Sequence, residues 1–360
     1  MARVASNMPE TKAPVDRDVA VSARLAPLVH FLRGGHVESI HSGHVAVVDP
    51  RGKLLAWAGD PHALVFPRSA FKPFQALPLV ESGAFARSGL GLDALALIAG
   101  SHGGTDSQVA LVLRILEAAG ADAEALQCGV HEPYDEPTAK ALRARGEAPS
   151  PLRHNCSGKH AGMLLLARAL GEPLEHYLDP AHPVQRLIFD RFAELMGAPI
   201  EDPVPAIDGC SAPTPRLPLS GLARAFALFA RGVDAKGEPV PALVEIKDAM
   251  MAYPENVAGE GRLDTALMRC LKGALVSKAG AEGMHAAAYL TRGIGIAVKV
   301  ADGSRRALKP AVLAVLDQLA LVSEGDREIL QPAEETVIRS YAGLVAGEIR
   351  PALELQRVSR

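Results

Sequence analysis

VHFLRGGHVESIHSGHVAVVDPRGKLLAWAGD, residues 29–60, decides the fold class. Its aliphatic and β-branched runs are broken by GG, HSG and DPRG, the pattern of antiparallel strands joined by tight turns, and about three strands are expected from Leu28 onward. Toward the other end, AAYLTRGIGIAVKVADGSRRAL (287–308) has the same texture of two strands and a turn. The amphipathic helix ALKPAVLAVLDQLALV (307–322) follows it. From Phe71 to about Gly197 the apolar residues recur instead at helical spacing, as in ALVLRILEAAG and AGMLLLARAL, between loops rich in Gly, Pro and His. The expected architecture is α/β of the α+β kind. One sheet is built from both chain ends, about 28–60 and 284–345, around an inserted helical region of about 69–270, in a single unit spanning 23–360. Residues 1–22 are polar, proline-bearing and without periodicity, and are expected to form a mobile arm.

The bulk properties narrow the function. Hydrophobic residues make up 48% of the 360 and charged residues 22%, a globular composition. The net charge of −3, with no basic stripe interleaved with aromatics, argues against a nucleic-acid partner. No apolar run approaches the roughly 20 residues that cross a bilayer. The opening MARVASNMPETKAPVDRD lacks the apolar stretch of a signal peptide, so a cytoplasmic protein with no membrane partner is expected. Cys128, Cys156, Cys210 and Cys270 are too scattered for a disulfide framework, leaving reduced thiols or metal ligands.

Four segments carry groups suited to chemistry. In RSAFKPFQALPLVESGA (68–84), Ser69 and Lys72 form SxxK at the opening of a helix, nearly one turn apart and on one face. A serine is a weak nucleophile until a base takes its proton, and a lysine serves if burial or nearby cations lower its pKa. The alternative is a capping serine beside a solvated lysine. GSHGGTDSQVA (100–110) sets Ser101 and His102 among glycines that let backbone approach a substrate, with a helix start just beyond that suits a carboxylate. The alternative there is a glycine turn capped by Thr105 or Asp106.

HNCSGKHAGMLLLARAL (154–170) crowds His154, Asn155, Cys156, Lys159 and His160 before a helix, and DGCSAPTPRLPL (208–219) adds Asp208 and Cys210. Chemistry alone would select Cys156, Cys210 and His160 as metal ligands, against two merely buried free cysteines. In PENVAGEGRLDTALM and LVSKAGAEGMHAAAYL, Lys278 lies beside Gly280 and Gly283 just before a strand, able to reach an active site. A second lysine there would help keep Lys72 partly neutral. Arg262 and Asp264 would close the site or pair on the surface, the latter being the simpler expectation.

Taken in order, RSAFKPFQ, GSHGGT, HNCSGKHAGML, DGCSAPT, ENVAGEGRLDT and KAGAEG resemble the Rhizobium-type (class 3) L-asparaginases of the asparaginase II family, from about residue 28 to 350. The resemblance implies a fold similar to serine β-lactamases, penicillin-binding proteins and serine glutaminases. It implies Ser69 as nucleophile with Lys72, a second tandem of Ser101 with Lys278, and hydrolysis of L-asparagine to aspartate and ammonia. It also implies a zinc held by Cys156, Lys159 and Cys210, with lysine in the place chemistry gave to His160. Asp208 and His160 then become partners of the ligands or of water. Arg68, His102, Asp208 and Arg262 are the candidate substrate-binding residues, and a homodimer is implied. Glutaminase or β-lactamase chemistry is the alternative, although SDN is missing and KAG matches KTG only in part. A zinc-dependent binding protein is the alternative of another class.

Overall fold

A computed structural model describes residues 24–198, 200 and 206–358, so the expected arm at 1–22 lies outside the described residues. Strands β1 (Ala26–Arg33), β2 (His36–Val48) and β3 (Leu54–Ala58) arise from the 29–60 segment. The far end supplies β4 (Leu275–Ala279), β5 (Met284–Tyr289), β6 (Ile294–Val300), β7 (Val337–Arg339), β8 (Val345–Pro351) and β9 (Gln356–Arg357). They form one nine-stranded sheet in the order β7-β8-β1-β2-β6-β5-β4, with β3 joined to both β2 and β9. The ends meet at β2 and β6, where Ala46 pairs with Ala297 and Val45 with Val298. The sheet extends past the expected limits, to Leu275 on one side and Pro351 and beyond on the other. Lys278 therefore lies inside a strand rather than just before one.

Alternation along β2 explains how this sheet is covered on both faces. Ala46 and Val48 enter a core with the helical insert, whereas Val45 and Val47 enter a second core beneath the C-terminal helix. On the insert side the helix Leu219–Arg231 lies directly on β6. A Cβ on Gly295 would stand 1.7 Å from Ala223 O, so only glycine permits that approach. On the opposite side the helix Arg305–Gln318 packs Ala311, Val312 and Val315 against Val298 and Val300. Among the described residues no helix is long and apolar enough to cross a membrane.

Candidate active site

The SxxK segment does not form one smooth helix. A 3-10 turn at Arg68–Phe71 leads into α1 (Lys72–Gln75), because Pro73 and Pro78 interrupt the backbone bonding a longer helix needs. Pro67, not Ser69, occupies the N-cap position and makes no side-chain cap bond, so Ser69 is not spent as a cap. Arg68 just before it takes φ +51°, a left-handed conformation uncommon for a long side chain. Its guanidinium fixes that conformation on Asp208, at 3.1 Å from Nε and 3.0 Å from Nη2 to Oδ1. Arg68 and Asp208, both expected to bind substrate, thus bind each other beside Ser69.

The GSHGGT loop is bolted to its surroundings through backbone. Ser101 N donates to Val257 O at 2.6 Å, and a Cβ on Gly100 would stand 2.5 Å from Asn256 O. The next helix, α2 (Asp106–Ala118), begins with a capping box of Thr105 and Gln108, so Thr105 does cap as the simpler reading had it. His102 is fully buried and faces away from the cleft: Nε2 meets Ser157 Oγ at 2.9 Å and Nδ1 accepts from Gly104 N at 3.2 Å. Burial and the neighbouring Lys72 push its pKa down to about 3, so it stays neutral. It braces the loop and does not meet the substrate space.

Ser69, Ser101, Asn155, Arg262, Asp264, Lys278 and Arg305 line one cleft of about 290 Å³. Lys72 lies beneath it, 1% exposed, with Nζ at 2.6 Å from Gly100 O, 2.9 Å from Ser101 Oγ and 3.2 Å from Asn155 O. The serine it hydrogen bonds is thus Ser101, the residue the resemblance had set with Lys278. Two of the three contacts are carbonyls, which only accept. The third direction holds an N–H or, in the neutral amine, a lone pair facing the Ser101 hydroxyl. Burial lowers the Lys72 pKa, aided by Lys159.

Lys278 Nζ donates to Ala279 O at 2.7 Å and lies 4.0 Å from Asp264 Oδ2. Burial pulls its pKa down to about 7 despite that carboxylate. Asp264 is the residue sequence reasoning undervalued. It does not pair with Arg262 on the surface but is 2% exposed, on the helix α3 (Leu263–Cys270), with Oδ1 accepting from Ser277 Oγ at 2.6 Å and Oδ2 from Ala279 N at 2.8 Å. Burial opposes its ionisation, but His285, Lys278 and Ser277 outweigh burial and hold it below the usual carboxylate range. The Ser277 proton goes to Asp264, so His285 Nε2, 2.8 Å from Ser277 Oγ, is the donor in that contact. The signal in the sequence was the apolar frame of LDTALM, which turns Asp264 inward beside Leu267 and Met268.

Beside Lys72, the HNCSGKH and DGCSAPT segments converge. Lys159 Nζ lies 3.0 Å from Cys210 Sγ and Cys156 Sγ donates to Asn155 Oδ1 at 3.3 Å, while the closeness of the two sulfurs lowers the Cys210 pKa and raises that of Cys156. Cys156, Lys159 and His160 push the Cys210 pKa down, and the two sulfurs raise that of Lys159 against burial. Among the described residues no three His, Cys, Asp or Glu side chains are arranged to hold a metal. The chemistry-only trio of Cys156, Cys210 and His160 is therefore not assembled: His160 Nδ1 is turned to Tyr177 OH at 2.7 Å. His160 Nε2 is left buried without a hydrogen-bond partner, next to Cys210. The two sulfurs and the Lys159 amine are a donor set that suits a borderline-soft ion such as zinc.

Fold and cleft together define a mixed α/β protein with a serine-lysine site. The chain belongs to the L-asparaginase II family, whose model matches residues 29–351. No curated protein matches it. Among solved structures it is similar to a β-lactamase from Mycobacterium bovis, at 11% identity and a TM-score of 0.42, covering 78% of this chain and 95% of that one. It is also similar to Mglu in its tris and glutamate form, at 16% identity and 0.39, covering 85% and 66%, and to Mglu in its native form, at 15% and 0.38, covering 85% and 72%. The chain spans about two thirds of the length of the first of these Mglu structures.

Proposed function

We propose that this protein hydrolyses L-asparagine to L-aspartate and ammonia through a serine acyl-enzyme. The observation that carries this is the shared cleft of Ser69, Ser101 and Lys278 with Lys72 bonded beneath it. Ser69 Oγ attacks the side-chain amide carbon and its proton passes to the lysines, with Lys72 one turn away. The oxyanion faces the N–H of Ser69, which as a first-turn residue has no intrahelical acceptor, and that of Ala281 on the cleft wall. In related enzymes one such donor contributes about 3 to 4 kcal/mol. Collapse breaks the C–N bond, Ser101 relays a proton from Lys72 to the departing ammonia, and water then hydrolyses the ester to release aspartate and Ser69.

Cys156, Lys159 and Cys210 are the residues that would hold a zinc ion, which when bound supplies positive charge beside the catalytic lysine and ties the two loops together. Asn155 and Cys156 are adjacent, so fixing one positions the carbonyl that Lys72 bonds. A cytoplasmic homodimer completes the reading, and sedimentation showing a monomer at micromolar concentration would remove the dimer from it. Ammonia release measured side by side on asparagine, glutamine and a chromogenic β-lactam tests the substrate. Asparagine and glutamine differ by one methylene, which an apolar pocket separates by only about 10- to 200-fold. A preference for glutamine or the β-lactam would displace asparagine as the substrate.

A further inference from the structure

Among the described residues, two guanidiniums at the cleft have no anionic partner. Arg262 lies with Cζ 5.3 Å from the centre of the Tyr134 ring and Arg305 with Cζ 5.6 Å from the same centre. Both residues and the tyrosine line the cleft that holds Ser69. Among the described residues neither arginine has an ion pair or a hydrogen-bond acceptor. The other charges nearby are committed. Lys309 pairs with Glu335, and Asp264 is buried among Ser277, Ala279 and Lys278.

Two like charges gathered at one ring repel each other, and the attraction of a tyrosine face is worth less than a charge-assisted bond to a carboxylate. An anion received by both would remove the repulsion and use donors that the protein leaves idle. The ring they share is well anchored. Tyr134 stacks on His131 at 4.7 Å and 17°, His131 Nδ1 bonds Glu132 O at 2.5 Å, and its Nε2 accepts from Asn155 N at 3.1 Å. Asn155 O in turn accepts from Lys72. The two arginines are thus tied, through one ring and two residues, to the lysine that bonds Ser101.

Building on the proposed amide hydrolysis, we infer that Arg262 and Arg305 form a subsite for the substrate's α-carboxylate. A free carboxylate accepts from both guanidiniums; a peptide carbonyl or α-carboxamide brings no charge and leaves the repulsion in place. Arg262 and Arg305 touch the substrate away from the reacting carbon, so their loss shows mainly in KM.

The test compares L-asparagine with L-asparaginamide, which replaces the α-carboxylate by a neutral amide. Ammonia release is followed for the wild type, Arg305→Met, Arg305→Lys and Arg262→Met, and binding of both compounds is measured by calorimetry on Ser69→Ala with and without Arg305→Met. The wild type should prefer asparagine by about a hundredfold in kcat/KM. Arg305→Met should lower kcat/KM on asparagine by about ten- to hundredfold through KM, leave asparaginamide within about threefold, and be partly rescued in Arg305→Lys. Asparaginamide turned over as well as asparagine by the wild type would overturn the inference. So would discrimination that survives in both methionine variants. Asparagine that binds Ser69→Ala in an Arg305-dependent way, with no ammonia from the wild type, would sink the proposed reaction and leave the subsite standing. Binding that is indifferent to both the carboxylate and Arg305 would refute the subsite whatever the activity.

Discussion

Replacing Asp264 by asparagine should move the acid limb of activity to lower pH. Asp264 Oδ2 is 4.0 Å from Lys278 Nζ and both side chains are buried. At that separation, with an effective dielectric constant near 20, the carboxylate favours the ammonium by about 4 kcal/mol, or roughly three pKa units. Lys72 and Arg262 act in the opposite direction and Cys156 in the same one, and none of them is altered. The sign follows directly: Asp264 raises the Lys278 pKa to its present value of about 7, so its removal lowers that pKa and keeps the neutral amine available in more acidic solution. An amine titrating near neutrality suits a proton acceptor, and the acid limb of kcat/KM in the wild type should therefore lie near pH 7. In Asp264→Asn it should fall by about two to three units, the folded structure offsetting part of the Coulomb figure. Asparagine offers one acceptor oxygen where the carboxylate takes Ser277 Oγ and Ala279 N, so stability should also drop by about 1–3 kcal/mol. The assay is kcat/KM for ammonia release from about pH 5 to 9, with melting followed alongside to confirm folding. A folded variant whose acid limb stays put, or moves to higher pH, would refute the reasoning.

Other perturbations separate site from scaffold. Lys72→Met should reduce kcat by at least about a thousandfold while Lys272→Met, at an exposed position, stays within about twofold; equal losses in steady-state assays would undo the assignment of Lys72. Gly280→Ala should push back the turn that carries Ser69, since its Cβ would stand 2.6 Å from Pro67 O and 2.9 Å from Met284 Cβ, costing about 1–3 kcal/mol in melting and most of kcat. Unchanged turnover would mean that the turn can shift without consequence. For zinc, equilibrium dialysis from about pH 6 to 9 should show affinity rising with pH, as protons leave the cysteines and a lysine ligand. Lys159→Met should lose most of that affinity and flatten its rise, and His160→Ala should lose about tenfold; the reverse order would make His160 the ligand.

The strand pattern of residues 29–60 was legible because β2 and β3 obey local rules, alternation and DPRG turn chemistry, and the meeting of the two chain ends followed from equal textures at both. The site was legible only as a set of segments. Ser69 and Lys72 are neighbours on one turn, so spacing spoke for them, but the bond from Lys72 to Ser101 joins residues far apart in sequence and depends on Gly100 fitting against Asn256. His102 was a candidate substrate-binding residue because glycines surround it; the loop instead folds it beneath, onto Ser157. Asp264 and Arg262 are two residues apart on a helix start and so diverge, one inward to β4 and the other to Tyr134, a split that charge pairing in the sequence did not suggest. The idle donors of Arg305 could not be foreseen at all, since nothing in SRRAL distinguishes Arg305 from Arg306, which packs on Phe31 and bonds His41.

The nucleophile is tested most directly by rapid acid quench during turnover of L-asparagine, followed by intact and peptide mass spectrometry. Acylation at Ser69 predicts a covalent aspartyl adduct on the peptide containing RSAFK, transient in the wild type, while Ser69→Ala remains folded and releases no ammonia. An adduct on the peptide containing Ser101, or ammonia release that survives in Ser69→Ala, would contradict it.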